Sequence, residues 1–189
     1  MLNIFSAFGL SASAGLNAYI PLLVVSLLAK FTNLIELGEA WDPLTSWWTI
    51  GVLVVLGTVE FFADKIPAVD HVNDIIQTFV RPTAGAILFA SSTSAVTNIN
   101  PVFALILGLL TAGAVHATKS IAIRPAVTMV SGGTADAPIS FLEDIIAAGI
   151  SILSVVIPVL VACILIIATS LIVMRIYRKN KDKQEAARP

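Results

Sequence analysis

The sequence predicts an all-α integral membrane protein with four to five transmembrane helices, broken or re-entrant polar segments and a possible internal repeat. Of the 189 residues, 57% are hydrophobic and 12% are charged, whereas about a quarter of the residues in a soluble domain are charged. Several apolar runs approach the roughly 20 residues that cross a bilayer. The length suits one domain. We expect a transmembrane helical domain at 1–174 and a basic cytoplasmic tail at 175–189.

The basic C-terminal tail predicts which way the chain is oriented across the membrane. The net charge is −1, yet basic residues accumulate after Met174. Because positive segments stay on the cytoplasmic side, we expect a multi-pass protein of the cell membrane, the inner membrane of a bacterium, with its C-terminus in the cytoplasm. The expected partners are the lipid bilayer, an ion or small anionic solute, and a second copy of the chain, but no nucleic acid.

The N-terminal half contains two predicted spans. The first, from about 8 to 28, is interrupted by small and polar residues, so it either packs closely on neighbours or breaks beside a cavity. The second runs from about 47 to 62. Between them lies an acidic loop, and three tryptophans mark a membrane interface there: Trp41, Trp47 and Trp48.

The middle of the chain is more polar. Apolar residues recur every three or four positions over 64–81, which predicts an amphipathic helix with Asp70 as a possible cap. The following segment, 82–97, is uncharged and short, and is expected to be a thin span or a re-entrant half-helix. The next span covers 101–118.

The C-terminal half begins with a polar, broken stretch at 119–140. Ser140 and Glu143 have the spacing of a capping box, which predicts the start of a helix there. The last apolar run, 145–174, is longer than a bilayer requires, so tilt or a kink at Pro158 is expected.

Two polar stretches echo each other. Residues 63–69 and 117–123 each follow a span directly, and paired interruptions in two halves point to a transporter binding site. The number of spans stays open. Five full spans place the acidic loop inside, whereas four spans with 82–97 re-entrant place both termini inside and agree better with the positive-inside rule.

The charges at the ends of the apolar runs are the candidate functional residues, because ionisable groups at membrane depth are costly and usually functional. Glu60 and Asp64 share one helix face, so they either hold a proton or cation between them or pair with Lys65, Lys119 or Arg81. The candidate ligand-binding or translocation residues are Glu60, Asp64, Lys65, Asp70, Asp74, Arg81, His116, Lys119, Arg124, Glu143 and Asp144.

The basic members of this set allow a second interpretation. If the two halves pack together, the four bases converge and form an anion site with the help of helix N-termini. Alternatively, they pair with nearby carboxylates and neutralise the core. The bases in question are Lys65, Arg81, Lys119 and Arg124.

Other chemistry has little support in the sequence. His71 lies between Asp70 and Asp74, but no second histidine stands at helical spacing, so no metal site is expected. His116 is interpreted as a hydrogen-bonding or proton-sensitive group within a span. Residues 131–134 form either a phosphate cradle without its lysine or a simple turn. No catalytic residues and no cofactor are assigned.

Two segments resemble a known family. The run Glu-Phe-Phe-Ala-Asp-Lys-Ile-Pro-Ala-Val-Asp-His-Val-Asn-Asp begins at Glu60, and Arg-Pro-Thr-Ala-Gly begins at Arg81. With the segment 9–21, they resemble the bacterial membrane-protein family called domain of unknown function 4126. The resemblance implies a multi-spanning protein in which the charged motif at 60–82 is characteristic, and it implies no activity.

The leading functional hypothesis is a small transporter or channel-like protein that binds an ionic solute or an anionic lipid headgroup, with protons as possible coupling ions. A homodimer is expected, because 189 residues enclose a path more easily as two copies. The alternatives are an integral membrane enzyme for a lipid-linked substrate, using Asp70, His71 and Asp74, and a non-catalytic scaffold whose charges are structural pairs.

Overall fold

The computed structural model is built from α-helices. It describes residues 4–65, 67–94, 99–132, 134–158, 164, 166–171, 173–175 and 178; the side chains of 67, 68, 70, 71 and 94 are outside this description. Seven α-helices are described: α1 (Ile4–Leu16), α2 (Tyr19–Phe31), α3 (Trp47–Ala63), α4 (Pro67–Ser94), α5 (Pro101–Thr118), α6 (Arg124–Ser131) and α7 (Asp136–Val156). A 3₁₀-helix (Glu39–Thr45) precedes α3, a π-helical segment (Lys119–Ile123) joins α5 to α6, and the described part of the chain has no strand.

Within the described residues, two helices are long and apolar enough to cross a membrane. They are the continuous stretch Pro101–Ser131 and the helix Asp136–Val156. A third candidate combines Glu39–Thr45 with Trp47–Ala63, which meet at a bend of 58°. These helices associate the protein with a membrane, as the sequence predicts.

The first predicted span is broken in the structure. The chain leaves the helical hydrogen-bonding pattern between α1 and α2, and the Asn17 side chain accepts hydrogen bonds from the backbone N–H groups of Tyr19 and Ile20, both at 3.0 Å. Asn17 therefore serves the N-terminus of α2 as a cap. Pro21 is tolerated because it lies in the first turn, where a missing N–H costs little.

Small residues let the central helices pack closely. Gly85 on α4 and Gly108 on α5 face each other so tightly that a Cβ on either would clash with the other helix, and Gly15 on α1 meets the Ala112 carbonyl in the same way. Serines add hydrogen bonds: Ser11 donates to the Gly85 carbonyl at 2.7 Å. Small and hydroxylated residues at helix contacts are typical of membrane bundles.

Helix α4 differs from the prediction. The amphipathic segment 64–81 and the expected thin span or re-entrant half-helix at 82–97 are parts of one helix that runs through Pro82. At 28 residues it is about 42 Å long. A proline inside a helix costs about 3 kcal/mol. The second half of α4 is deeply buried, with Leu88 and Phe89 fully covered, and this packing maintains the helix.

Helix α7 begins earlier than the prediction, and it ends beside Pro158, where a kink is predicted; residues 159–163 lie outside the described residues. It begins at Asp136, so Ser140 lies within the helix and is not its cap. The capping-box interpretation of Ser140 and Glu143 is therefore wrong. The helix ends at Val156, before Pro158, because a residue that precedes proline disfavours the helical conformation.

Candidate functional site

Ionisable side chains from several helices meet in one buried cluster. They come from α3 and the turn after it, from α4, α5, the π-helical segment, α6 and α7. The members are Glu60, Asp64, Lys65, Asp74, Arg81, His116, Lys119, Arg124, Glu143 and Asp144. Asp70, which the sequence also suggests, has a side chain outside the described part of the structure.

Arg81 is the most deeply buried base of the cluster. Its side chain is 0% exposed and its Nη2 donates to Glu60 Oε1 at 2.9 Å. The same Nη2 lies 3.7 Å from Asp64 Oδ2. Glu60 and Asp64 are one turn apart on α3 and at its end, so a single guanidinium serves both carboxylates. This geometry confirms that the two acids share a face.

His116 connects α5 to two residues of α4, Arg81 and Thr78. Its Nδ1 is 3.3 Å from Arg81 Nη1 and its Nε2 is 3.2 Å from the Thr78 hydroxyl. A guanidinium can only donate hydrogen bonds. His116 Nδ1 therefore accepts, and the neutral ring carries its proton on Nε2, which donates to Thr78.

Lys119 lies in the π-helical segment and ties α7 to the end of α1. Its Nζ is 2.6 Å from Glu143 Oε2 and donates to the Leu16 carbonyl at 3.2 Å. Leu16 is the last residue of α1, where carbonyls lack partners within the helix and attract cations. The ammonium thus stabilises the broken end of the first predicted span.

Arg124 occupies the centre of the acidic groups. Its Nη1 donates to Asp74 Oδ2 at 3.0 Å, and its Nη2 lies 3.8 Å from both Asp64 Oδ2 and Glu143 Oε2. Nη2 also donates to the Ser140 hydroxyl at 3.3 Å. The π-helical segment just before Arg124 changes the helical register, and π-bulges are frequent at functional sites.

Lys65 and Asp144 form the more exposed flank of the cluster. The Lys65 ammonium is 3.3 Å from Asp144 Oδ2 and 3.4 Å from the centre of the Phe61 ring. On the other side, the Asn17 amide donates to Asp144 Oδ1 at 3.0 Å. Asn17 therefore connects the break between α1 and α2 directly to the charged cluster.

The chain matches a known protein family over most of its length. Residues 4–179 match the family described as Domain of unknown function (DUF4126). The chain belongs to this family. Neither the comparison with curated proteins nor the comparison with solved structures gives a match. The resemblance that the sequence suggests is thereby confirmed, and DUF4126 membership brings no activity with it.

In this DUF4126 chain the cluster has more acids than bases. The four closest pairings are Arg81 with Glu60, Lys119 with Glu143, Arg124 with Asp74, and Lys65 with Asp144. The remaining carboxylate is Asp64, whose two arginine contacts, at 3.7 and 3.8 Å, are both longer than those arginines' closest ones. Asp64 is instead held by Asn73, which donates to Oδ1 at 2.5 Å, and by Ser140, 3.5 Å from Oδ2. With neutral His116, the ionised cluster has a net charge of −1 among the described residues.

Some buried polar atoms of the site have no hydrogen-bond partner. They include Glu60 Oε2, Gln77 Oε1 and Arg81 Nε. Glu60 and Gln77 are 1% and 2% exposed, and both lie near the Tyr19 side chain. A buried acceptor without a donor costs about 1–3 kcal/mol. Two such oxygens beside one tyrosine suit an incoming donor such as a proton, a water molecule or an ammonium group.

A cavity of about 250 Å³ lies between α2 and α3, next to the cluster. Its walls are mostly apolar and aromatic. They are formed by Asn17, Tyr19, Ile20, Leu23, Leu53, Val54, Gly57, Thr58 and Phe61. Two of these residues, Asn17 and Phe61, also contact the Lys65–Asp144 pair.

Several neutral residues of the site are not identified from the sequence. Asn17, Asn73 and Gln77 are ordinary polar residues in sequence, and only the fold places them beside the charges. One signal exists for Asn17, because it ends a run of small residues in the predicted broken span. A comparable signal is absent for Asn73 and Gln77, which lie within an amphipathic helix.

The remaining sequence candidates lie elsewhere or form no site. Ser131 and Gly132 end α6, with Gly132 at φ 61° in the left-handed conformation that glycine adopts readily; Gly133 is outside the described residues. The segment is therefore a helix terminus. Within the described residues, no group of three histidine, cysteine or acidic side chains is arranged for a metal ion.

Proposed function

We propose that this protein is a small membrane transporter or channel-like protein whose charged cluster binds a monovalent cation, the proton foremost. The observation that carries the proposal is the surplus carboxylate. Asp64 lies between two arginines that each have a closer acidic partner. A low-dielectric site with excess negative charge favours protonation or binding of a cation.

The same pairing argues against the anionic solute or lipid headgroup that the sequence also allows. An anion site needs a base whose charge is not already matched. Each base of the described cluster lies within 3.3 Å of a carboxylate. An anion would have to displace one of these carboxylates and leave it buried without a partner, which is strongly unfavourable.

The enzyme alternative loses its proposed base. Asp74 would serve as an acid–base residue only if its carboxylate were available, but Arg124 holds it at 3.0 Å. The other two residues of that hypothesis, Asp70 and His71, have side chains outside the described part of the structure. We therefore propose a transport role and not catalysis.

Two irregular backbone segments support a transport role. The break between α1 and α2 meets the cluster through Asn17 and Leu16, and the π-helical segment contributes Lys119. Transporters bind their ions where helices are discontinuous, because the free backbone groups and helix ends help to hold charge. Here both irregular segments meet the same set of charges.

The membrane arrangement is part of the proposal. In addition to the candidate spans, α1 with α2 forms one broken crossing and α4 forms another, which gives the four to five crossings that the sequence predicts. The C-terminal tail lies in the cytoplasm of a bacterial cell, and two copies form a homodimer. Light scattering of the purified protein tests the dimer, and accessibility of engineered cysteines in spheroplasts tests the orientation.

Ion flux into proteoliposomes tests the function. Vesicles with an internal pH dye, under an imposed potential, should show proton uptake with the wild-type protein and at least a tenfold slower uptake with Asp64→Asn. The matched control is Glu39→Gln, which also removes one negative charge but at an exposed position of the 3₁₀-helix. It should conduct like the wild type.

Melting of the purified variants and flux in the same vesicles together distinguish the scaffold alternative from transport. Because Asp64 is the surplus acid, Asp64→Asn should fold and melt at or above the wild-type temperature. A variant that cannot be purified would contradict the surplus. A wild-type protein that conducts neither protons nor Na⁺ or K⁺ would refute the transport proposal and leave a structural role for the charges.

A further inference from the structure

The cavity between α2 and α3 lies within one helical turn of Glu60. The inward-facing positions of α3 are Ile50, Leu53, Gly57, Glu60 and Asp64, which recur at spacings of three and four. Two of them, Leu53 and Gly57, line the cavity. Gly57 lies one turn before Glu60, so the cavity adjoins the turn that carries the buried carboxylate.

Gly57 leaves the space open. A Cβ at this position would be 3.4 Å from Tyr19 Cβ, so a methyl group fits but a larger side chain would extend into the cavity. The volume of about 250 Å³ is just below the range of roughly 300–1,000 Å³ that is usual for small-molecule sites. The cavity therefore suits a small ligand.

The Thr58 and Asn17 side chains of the cavity wall are already engaged. The Thr58 hydroxyl donates to the Val54 carbonyl at 2.7 Å, and Asn17 bonds both Asp144 and the N-terminus of α2. An anionic or alcoholic headgroup thus finds no unused donor among these side chains. What the wall does offer is two aromatic rings, Tyr19 and Phe61, and the Phe61 ring already contacts a cation, the Lys65 ammonium.

Tyr19 connects the cavity to the two unpartnered acceptors. Its side chain lines the cavity and lies near both Glu60 and Gln77. Glu60 Oε2 and Gln77 Oε1 have no hydrogen-bond donor. Both side chains are more than nine-tenths buried. A group with several N–H donors and a positive charge would satisfy these oxygens, and it would interact favourably with the aromatic faces.

We propose that this cavity is the binding site for a primary ammonium ion with a short apolar chain, whose chain lies between α2 and α3 and whose ammonium faces Tyr19 and Glu60. This proposal rests on the proposed cation-binding function and names its substrate class. The two acceptors without hydrogen-bond donors and the net cluster charge of −1 favour this occupant over a carboxylate or a lipid acyl chain. The apolar wall and its aromatic rings suit the chain and the ammonium group.

Three probes of equal chain length test the proposal. Binding of n-hexylammonium, n-hexanol and hexanoate to the detergent-solubilised full chain is measured by titration calorimetry, with empty micelles as the blank. We expect hexylammonium to bind at least tenfold more tightly than either other probe. Gly57→Leu should abolish this binding. Gly51→Leu is the matched control, because Gly51 lies on the same helix and faces open space, and it should bind like the wild type.

The other results overturn the proposal in distinct ways. Equal binding of hexanol and hexylammonium would indicate an apolar groove for lipid chains. Preference for hexanoate would indicate an anion site at Lys65. Unchanged binding by Gly57→Leu would place the ligand elsewhere. Absence of hexylammonium binding in a protein that still shows Asp64-dependent proton flux would refute this substrate class and leave the proposed function intact.

Discussion

Arg81 and Glu60 form an ion pair of 2.9 Å in which the two side chains are 0% and 1% exposed. The pair lies at the contact between α4 and the end of α3, two helices with few other contacts. Removing one partner of a buried pair leaves a desolvated charge, which costs about 3–5 kcal/mol. The pair therefore ties the end of α3 to α4, whereas α3 packs mainly on α2.

Arg81→Gln should consequently destabilise the protein by about 3–5 kcal/mol, because two carboxylates then share the site without a cation between them. The double variant Glu60→Gln/Arg81→Gln should recover part of the loss, since it removes both buried charges. Thermal melting in detergent, followed by size-exclusion chromatography, measures the double variant and the single variants Arg81→Gln and Glu60→Gln. A double variant that is as unstable as the sum of the two single variants would mean that the pair has no coupling.

Asn17 caps α2 and also donates a hydrogen bond to Asp144, whereas an ordinary cap has only the first of these roles. Asn17→Ala should lose the cap of α2, at about 0.5–2 kcal/mol, and also the hydrogen bond to Asp144. Asn100→Ala is the matched control, because the Asn100 side chain caps α5 by accepting from Val102 N at 2.9 Å and bonds to no charged group in the described part of the chain. We expect a clearly larger drop in melting temperature at position 17. Equal drops would show that the Asp144 contact adds nothing.

The convergence of the charges could be predicted from the sequence because charge in an apolar chain requires a partner. The two polar stretches, 60–81 and 116–144, each carry acids and bases, and the structure brings them together. The bounds of α5, Pro101–Thr118, also agree with the predicted span, because Pro101 starts a helix favourably and an apolar run follows.

Other features depend on packing, and the sequence does not show them. Pro82 suggests a helix boundary, yet burial of the residues after it keeps α4 continuous. Ser140 has the spacing of a cap, yet it lies inside α7 and bonds Arg124. In both cases tertiary contacts outweigh the local signal. The identity of the surplus acid likewise depends on the distances between carboxylates and bases. Composition shows only that the charges are nearly balanced.

Trp47 and Trp48 provide a test of the membrane position. They are 66% and 86% exposed at the start of α3, and exposed tryptophans favour the headgroup level. In a Trp41→Phe background reconstituted in brominated lipids, bromines near the headgroup should quench the fluorescence more strongly than bromines near the end of the acyl chain. Stronger quenching by the deep bromines would place the start of α3 inside the bilayer and contradict the proposed crossing.

Gly85 tests the close packing that positions the charged cluster. A Cβ at Gly85 would overlap Ala112 Cβ and lie 2.9 Å from the Gly108 carbonyl, so Gly85→Ala forces α4 and α5 apart. Overpacking of this kind costs about 1–3 kcal/mol. Arg81 is one turn before Gly85 and His116 is one turn after Ala112, so separating the helices also lengthens the 3.3 Å contact between Arg81 and His116.

The control for this prediction is Gly149→Ala, at a helical position of α7 with open space around it. There the substitution should be neutral or stabilise by about 0.5–1 kcal/mol, because alanine favours the helix over glycine. Melting temperatures of the two variants give the stability effect, and proton uptake in vesicles gives the functional effect. We expect Gly85→Ala to lower both and Gly149→Ala to lower neither. If Gly85→Ala melted like the wild type, the contact between α4 and α5 would be looser than the structure shows, and the cluster would not depend on it.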